Sequence, residues 1–239
     1  MDVQLFIPCF VDQLFPDTAF NTVRVLEKAG CRVQYNPAQT CCGQPAFNAG
    51  FHDDARAICT KFLEDFDPNK LIVAPSASCV GFVRNYFPAL FDNSSFHNEV
   101  KAIGQHIFEL SDFLVNKLGM TQFGARLEGK ATYHDSCAGL RECRIKNEPR
   151  QLLAAVQGLE ITEMEDVETC CGFGGSFAVK FESISIGMAE QKVEHALATG
   201  AKYLISTDLS CLMHLQGYIK AKGHPLQTLH LADVLASGW

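Results

Sequence analysis

The chain has 239 residues and a net charge of −7, from 20 lysines and arginines against 27 acidic residues. Its hydrophobic fraction of 47% is typical of ordinary globular proteins. No basic cluster suggests nucleic-acid binding, no apolar run approaches the ~18 residues of a membrane span, and no secretory signal is visible. Eleven cysteines are too few for a disulfide scaffold, so we expect a cytoplasmic protein whose reduced thiols bind metal or carry out redox chemistry.

The first half of the chain alternates short apolar runs with amphipathic segments. In chain order the patterns predict strand 3–8, helix 18–29 closed by Gly30, strand 32–35, helix 53–66 and strand 70–74. A helical string, Leu110–Leu114, closes this half.

The second half follows the same order. Its predicted elements are strand 131–134, helix 149–157 followed by Gly158, strand 160–164, helix 186–198 and strand 202–206, and it closes on the helical string Leu231–Leu235. Alternation of strands and helices predicts parallel sheets with right-handed crossovers. Ligands of such sheets gather beyond the carboxyl ends of the strands.

Cysteine motifs occur twice, in the same order. Residues 40–43 and 169–172 share the sequence Thr-Cys-Cys-Gly, and a single cysteine stands before and after each of them. A shared order over the whole chain indicates duplication of a unit of ordinary domain size. We therefore predict an α/β fold of two tandem, pseudo-symmetric, Rossmann-like parallel-sheet domains, at residues 1–118 and 129–239, joined by a linker at 119–128.

The eight repeated cysteines form two sets. The N-terminal set is Cys9, Cys41, Cys42 and Cys79, and the C-terminal set is Cys137, Cys170, Cys171 and Cys211. Thiolates favour zinc, cuprous copper or iron–sulfur clusters, and neither set contains the C-x₂₋₄-C knuckle that structural zinc sites usually have. Adjacent cysteines attach more easily to a cluster of several irons than to one ion. We predict all eight as metal ligands, with one centre per half and zinc as the alternative metal.

Three cysteines have no counterpart in the other half. Cys31 and Cys59 are predicted to be core residues, and Cys143 is either a spare thiol beside the site or an auxiliary ligand. His134 and Asp135 lie just before the first cysteine of the C-terminal set, and we expect them to support the site through hydrogen bonds rather than to catalyse a reaction.

A glycine-rich stretch follows the second cysteine pair. Gly172, Gly174 and Gly175 match no nucleotide-binding loop. Backbone N–H groups that donate to cluster sulfur, and so tune the reduction potential, explain such a loop better.

The doubled pattern, C-x₃₁-C-C-G-x₃₅-C and C-x₃₂-C-C-G-x₃₈-C, resembles the duplicated cysteine-rich CCG domain. That iron–sulfur family includes the cluster-binding subunit of heterodisulfide reductase and the iron–sulfur subunits of glycolate- and glycerol-3-phosphate-oxidising enzymes. Residues 132–137, 170–177 and 229–235 are similar to a compact, lactate-utilization branch of it. The resemblance covers essentially the whole chain and implies an electron-transfer subunit of an L-lactate-oxidising system, working with a ferredoxin-like iron–sulfur subunit and a third small subunit.

The chain departs from the fuller family pattern at two positions. Ser76 and Asp208 stand where that pattern has the first cysteine of a terminal C-x-x-C. Four thiolates per half still suffice for a [4Fe–4S] cluster, whereas the five-thiolate non-cubane cluster loses a ligand. We expect Ser76 and Asp208 to cap a turn or helix, with an oxygen ligand as the alternative.

The function that we expect is electron transfer, with one [4Fe–4S] cluster per half. No flavin fingerprint is readable, so the centre that oxidises the 2-hydroxy acid is expected on a partner, and the chain is a component rather than a complete enzyme. Two alternatives stay open. One is thiol–disulfide oxidoreduction by a vicinal cysteine pair, and the other is a zinc-stabilised scaffold protein that transfers no electrons.

Overall fold

A computed structural model describes residues 1–239. In the first half the elements are β1 (Asp2–Leu5), α1 (Cys9–Leu14), α2 (Pro16–Lys28), β2 (Arg32–Tyr35), α3 (Gln44–Asn48), α4 (His52–Asp65), β3 (Ile72–Ala74), α5 (Ala77–Asn85), α6 (Phe87–Leu90), α7 (His97–His106), β4 (Ile107–Glu109) and α8 (Leu110–Asp112). A π-helical turn at Phe113–Lys117 continues α8.

The second half repeats this order with fewer helices. Its elements are β5 (Arg126–Tyr133), a π-helical turn (Gly139–Cys143), α9 (Glu148–Ala154), β6 (Gln157–Ile161), α10 (Ser176–Lys180), α11 (Glu182–Ala198), β7 (Tyr203–Ser206), α12 (Leu209–Lys222), β8 (Gln227–His230) and α13 (Leu231–Leu235). No helix combines the length and the apolar character needed to cross a membrane.

Each half contains one four-stranded, all-parallel sheet. The strand orders are β2-β1-β3-β4 and β6-β5-β7-β8, so the two sheets have the same topology. The predicted α/β class and the two pseudo-symmetric parallel sheets are thereby confirmed. In both sheets the strand order reverses at the two central strands, between β1 and β3 and between β5 and β7. Ligands of parallel sheets bind in the crevice at such a switch point.

The predicted elements differ from the structure at several places in the two sheets. Each sheet has a fourth strand, β4 or β8, that was not predicted, because a run of three or four residues shows no clear periodicity. The strand predicted at 160–164 starts earlier, and Gly158 lies within β6 instead of ending a helix. Strand β6 starts early because β5 already begins at Arg126, and pairing of Arg126 with Gln157 draws residues 157–159 into the sheet.

Strand β5 thus starts inside the segment predicted as a linker at 119–128. The domain limits 1–118 and 129–239 stay a prediction.

Alternate residues of the central strands face two different cores. In β1 and β3, Leu5 and Val73 point to an apolar core shared by the two halves, whereas Ile72 and Ala74 point to a second core, built mainly from the first half and joined by Cys143 and Ile145 of the second. In β7, Ile205 faces the shared core and Leu204 a core of the second half. The period-two alternation of strand side chains therefore lets each sheet pack on both faces.

Polar contacts reinforce the apolar joint between the halves. The Thr18 hydroxyl and the Asn21 amide of α2 donate to the two oxygens of Asp233 in α13, at 2.9 and 3.0 Å. Since α2 and α13 belong to different halves, these bonds help to hold the relative position of the two sheets.

Glu109, at the end of β4, is a buried carboxyl that makes the free energy of unfolding depend on pH. One oxygen accepts the backbone N–H groups of Ser111 and Asp112 at 2.8 and 3.3 Å, and the other has no partner. Burial raises the pKa of Glu109 from 4.5 to about 7. Between those values the folded protein holds more protons than the unfolded chain, so stability falls as pH rises.

In the wild-type protein, Glu109 should lower the free energy of unfolding by roughly 3 kcal/mol as the pH rises from 4.5 to 7. We predict that Glu109→Gln abolishes this decrease. The neutral amide keeps an acceptor for the α8 N–H groups and carries no charge to desolvate. Denaturant unfolding of both proteins at pH 5 and pH 8, under reducing conditions, measures this difference. Identical pH dependence in the two proteins would contradict the assignment.

Candidate metal centre

The single cysteines of each set lie at the carboxyl ends of the two central strands. Cys9 begins α1 just after β1, and Cys137 follows β5. Cys79 and Cys211 are the third residues of α5 and α12, the helices that follow β3 and β7.

The vicinal pairs lie on tight loops that depend on the glycine after them. Gly43 and Gly172 have φ of +93° and +91°, which L side chains rarely adopt. A Cβ atom at Gly172 would lie 2.7 Å from the carbonyl oxygen of Ser185, and one at Gly43 would lie 2.9 Å from Cys59 Sγ. The glycines let each loop press against the following helix and turn both thiols of its pair toward the same centre.

Within each set the thiols are in direct contact. In the N-terminal set, Cys9 Sγ lies 3.5 Å from Cys41 Sγ, and the Cys42 thiol lies between those of Cys41 and Cys79. The C-terminal set repeats this arrangement, with Cys170 beside Cys137, and Cys171 between Cys170 and Cys211. The structure thus brings together all four predicted residues of each half.

One thiol of each set is strongly acidic. Hydrogen bonds from Cys42 and then Cys9 lower the pKa of Cys41 to about 3, and bonds from Cys137 and Cys171 lower that of Cys170 to about 2. The same contacts raise the pKa of the donor thiols. Cys41 and Cys170 are therefore thiolates that accept hydrogen bonds from neighbouring thiols, and binding a metal would displace the protons of those donors.

Backbone N–H groups point at sulfur in both loops. The N–H of Gly43 donates to Cys41 Sγ at 3.4 Å, and that of Gly172 donates to Cys170 Sγ at the same distance. Phe173 N–H donates to Cys171 Sγ at 3.5 Å. Such bonds to cysteine sulfur stabilise negative charge on it, and donation to cluster sulfur by the glycine-rich loop stays a prediction.

Both sets open into one cavity between the halves. This cavity of about 460 Å³ is lined by all eight cysteines and by polar residues of both halves. The polar residues include Ser76, Ser78, Tyr86, Ser136, Glu142 and Asp208. Glu142 was not foreseen from the sequence, because only tertiary packing brings its half-buried carboxyl across to the first half, where it accepts a 3.4 Å hydrogen bond from Tyr86.

Asp208 joins the two sets. Its carboxylate accepts the Ser210 N–H in its own half, at the start of α12, and the Ser78 N–H of α5 in the other half at 2.9 Å. Ser76 caps only α5, through a 3.4 Å bond from Cys79 N–H. The predicted capping roles of both residues are confirmed, and the bridge from Asp208 to the other half is an addition that sequence periodicity could not indicate.

Asp135 and His134 differ sharply in their surroundings. Asp135 is buried and accepts two hydrogen bonds from the Arg150 guanidinium at 2.9 and 2.8 Å. His134 is fully buried, and neither ring nitrogen has a hydrogen-bond partner. Burial, reinforced by the charge of Lys192, lowers the pKa of His134 to about 3, so the imidazole is neutral.

The remaining cysteines lie outside the two sets. Cys31 and Cys59 are buried core residues, as predicted. Cys59 also donates to the carbonyl oxygen of Cys42 at 3.3 Å, beneath the first loop. Cys143 packs into the core of the first half, where its thiol donates to the Ala77 carbonyl at 3.3 Å and burial raises its pKa to about 12.

The donor chemistry of both sets fits a thiophilic metal centre. All eleven cysteines are free, and each set offers four converging soft donors with acidic or hydrogen-bonded sulfur. Zinc and iron–sulfur clusters both accept four thiolates. His134 nitrogen, Cys171 Sγ and Cys211 Sγ also lie within 4.8 Å of one another, so a nitrogen donor is available in the second half.

Comparison with known proteins reveals one family and close relatives along the whole chain. A model of the cysteine-rich CCG domain matches residues 3–84 and again 131–216. Lactate utilization protein A of Halalkalibacterium halodurans is 43% identical over 98% of this chain and 96% of its own. Lactate utilization protein A 2 of Bacillus cereus strain Q1 is 40% identical over 100% and 99%.

One solved structure shares the fold. A hypothetical protein from Helicobacter pylori superposes on 100% of this chain with a TM-score of 0.62 at 13% identity. The present chain spans about half, 49%, of that protein's length. At this identity the likeness concerns the fold alone.

We predict that Asp208→Ala lowers the free energy of unfolding of the metal-free protein by about 2–3 kcal/mol, because it removes charged hydrogen bonds to both halves. Ser76→Ala is the matched control and should cost about 1 kcal/mol, since it removes a cap from one helix only. Denaturant unfolding under reducing, anaerobic conditions gives both values. Equal losses in the two variants would contradict a bridging role for Asp208.

Proposed function

The chain belongs to the family of proteins built from the cysteine-rich CCG domain, and on that premise we propose that it is an iron–sulfur electron-transfer subunit of a system that oxidises L-lactate or a related 2-hydroxy acid. Two observations support this function. The relatives named lactate utilization protein A align over nearly the full length of both chains. Two four-thiol sets of the same geometry also face each other across one cavity.

The shared cavity is the observation that carries the electron-transfer role. A structural zinc ion needs a closed tetrahedron of ligands and no adjoining space. Here the eight cysteines line about 460 Å³ of common space, which leaves room for centres larger than one ion. Two redox centres would then lie at the walls of a single cavity, as an exchange of electrons between them requires.

Different residues of the chain would bind the clusters, stabilise their charge and hold them in place. Cys9, Cys41, Cys42 and Cys79 would hold one [4Fe–4S] cluster, and Cys137, Cys170, Cys171 and Cys211 the other; such a cluster supplies one-electron oxidation and reduction. The N–H groups of the two loops stabilise charge on sulfur, and Asp208 holds the helices that carry Cys79 and Cys211. The halves, packed through their shared core, keep both sets in place.

The other parts of the system belong to partners. Removal of a hydride or of electrons from a 2-hydroxy acid needs a flavin or similar acceptor, and the sequence has no readable flavin fingerprint. We assign that step to a partner, together with a ferredoxin-like iron–sulfur subunit and a third small subunit. A cytoplasmic location agrees with eleven free cysteines, because thiols stay reduced there.

Anaerobic purification followed by iron, acid-labile sulfide and zinc analysis tests the proposal. We expect iron and sulfide in equal amounts, and Cys171→Ser should lose about half of both, because a [4Fe–4S] cluster needs all four thiolates. Cys31→Ala is the matched control, a buried cysteine outside both sets, and should keep the full content. Stoichiometric zinc with negligible iron in the wild-type protein would overturn the electron-transfer function and favour a scaffold.

A further inference from the structure

We propose that His134 is a nitrogen ligand of the C-terminal centre, so that the two halves hold chemically different centres: all-thiolate in the first half and mixed imidazole–thiolate in the second. The ring nitrogen of His134, Cys171 Sγ and Cys211 Sγ lie within 4.8 Å of one another. All three residues are buried. This proposal names the donors of one site and rests on the proposed function only for its redox consequence.

The backbone of His134 is held firmly at the end of the central strand. Its N–H donates to the carbonyl oxygen of Ile205 at 2.8 Å, and its carbonyl oxygen accepts the Ser206 hydroxyl at 2.9 Å. Both partners belong to β7, the strand that leads into the helix of Cys211. The imidazole is therefore positioned by the same two strands that lead to Cys137 and Cys211.

The repeat supplies an internal comparison. Phe6 occupies the equivalent place in the first half, three residues before Cys9, and its N–H donates to Val73 of β3 at 2.9 Å. Phe6 is also fully buried and packs edge-on against Phe62 and Phe66. An apolar side chain thus satisfies this position sterically, and the second half places there a ring with two polar nitrogens instead.

The nitrogens of His134 have no hydrogen-bond partner in the protein. Both are buried and unpaired, although the same region satisfies other buried polar groups. Lys192, for example, is also buried, and its ammonium donates to the carbonyl oxygens of Asp166 and Val167 at 2.6 and 3.2 Å. Buried polar groups without partners are rare in folded proteins, and coordination to a metal at the neighbouring thiols provides the missing partner.

Unequal ligands give the two centres unequal affinities for electrons. Histidine ligation raises the reduction potential of iron–sulfur centres relative to thiolate ligation alone. In the [4Fe–4S] clusters of the proposed function each iron takes one ligand from the protein, so His134 would replace one of the four thiolates of the C-terminal set. The C-terminal cluster would then accept an electron more readily than the N-terminal one, which would give electrons a preferred direction across the shared cavity.

Cobalt titration of the full-length, metal-free protein tests the ligand. With the N-terminal set disabled by Cys9→Ser, Cys41→Ser and Cys79→Ser, we expect Co²⁺ to bind the C-terminal set and His134→Phe to weaken that binding by at least about 100-fold, more than the loss of an outer partner of a ligand causes. Phenylalanine at this position mirrors Phe6. His214→Phe is the matched control, because His214 contacts Ser185 beside the second loop and should not affect binding. Unchanged affinity in His134→Phe would overturn the proposal.

Pulsed electron paramagnetic resonance of ¹⁵N-histidine-labelled protein gives a readout that does not depend on the stability of the variant. We expect a directly bonded nitrogen coupling in the Co²⁺ form that persists in His214→Phe. Absence of this coupling in the wild-type protein would overturn the proposal even if His134→Phe failed to fold.

The same spectra of protein reconstituted with iron and sulfide separate the two proposals. Iron uptake without nitrogen coupling contradicts His134 as a ligand and leaves the electron-transfer function intact. Nitrogen coupling in the Co²⁺ form of a protein that takes up no iron supports the ligand and contradicts the function.

Discussion

The shared apolar core between the two sheets is the interaction on which the site depends. Each half carries four thiols at the carboxyl edge of its own sheet, but the two sets face each other only because one face of each sheet packs into the same core. Burial of apolar surface supplies most of the free energy of that joint. The hydrogen bonds of Asp233 and Asp208 fix the relative orientation of the two halves, because each bond requires a particular partner in the other half.

Close packing beneath the cysteine loops explains why both halves have the same Cys-Cys-Gly sequence there. A glycine follows each vicinal pair at positive φ, and a helix lies directly against it. Any side chain there would collide with the helix and turn at least one thiol away from its set. The geometry of the thiols is consequently built by the backbone, and the hydrogen bonds among the sulfur atoms follow from it.

The duplicated halves have diverged at the positions that surround the thiols. Phe6 corresponds to His134, and Ser76 corresponds to Asp208. In each case the second half carries the residue with the greater capacity for polar or metal chemistry, while the first half has an apolar or smaller side chain. The scaffold and its eight thiols are symmetric, whereas the electrostatics around them are not. Duplication thus provided two similar sites that could acquire different chemical properties.

The sequence by itself determined the class of fold, the duplication, the membership of each four-cysteine set and the capping residues Ser76 and Asp208. These features follow from local periodicity, from repeated order and from the conformational freedom of glycine, all of which can be read along the chain. Only the tertiary structure decided that both sets share one cavity, that Asp208 reaches Ser78, that Glu142 enters from the opposite half and that β6 begins at Gln157. Each of these depends on contacts between segments far apart in sequence, and local patterns of apolar and polar residues carry no information about such pairings.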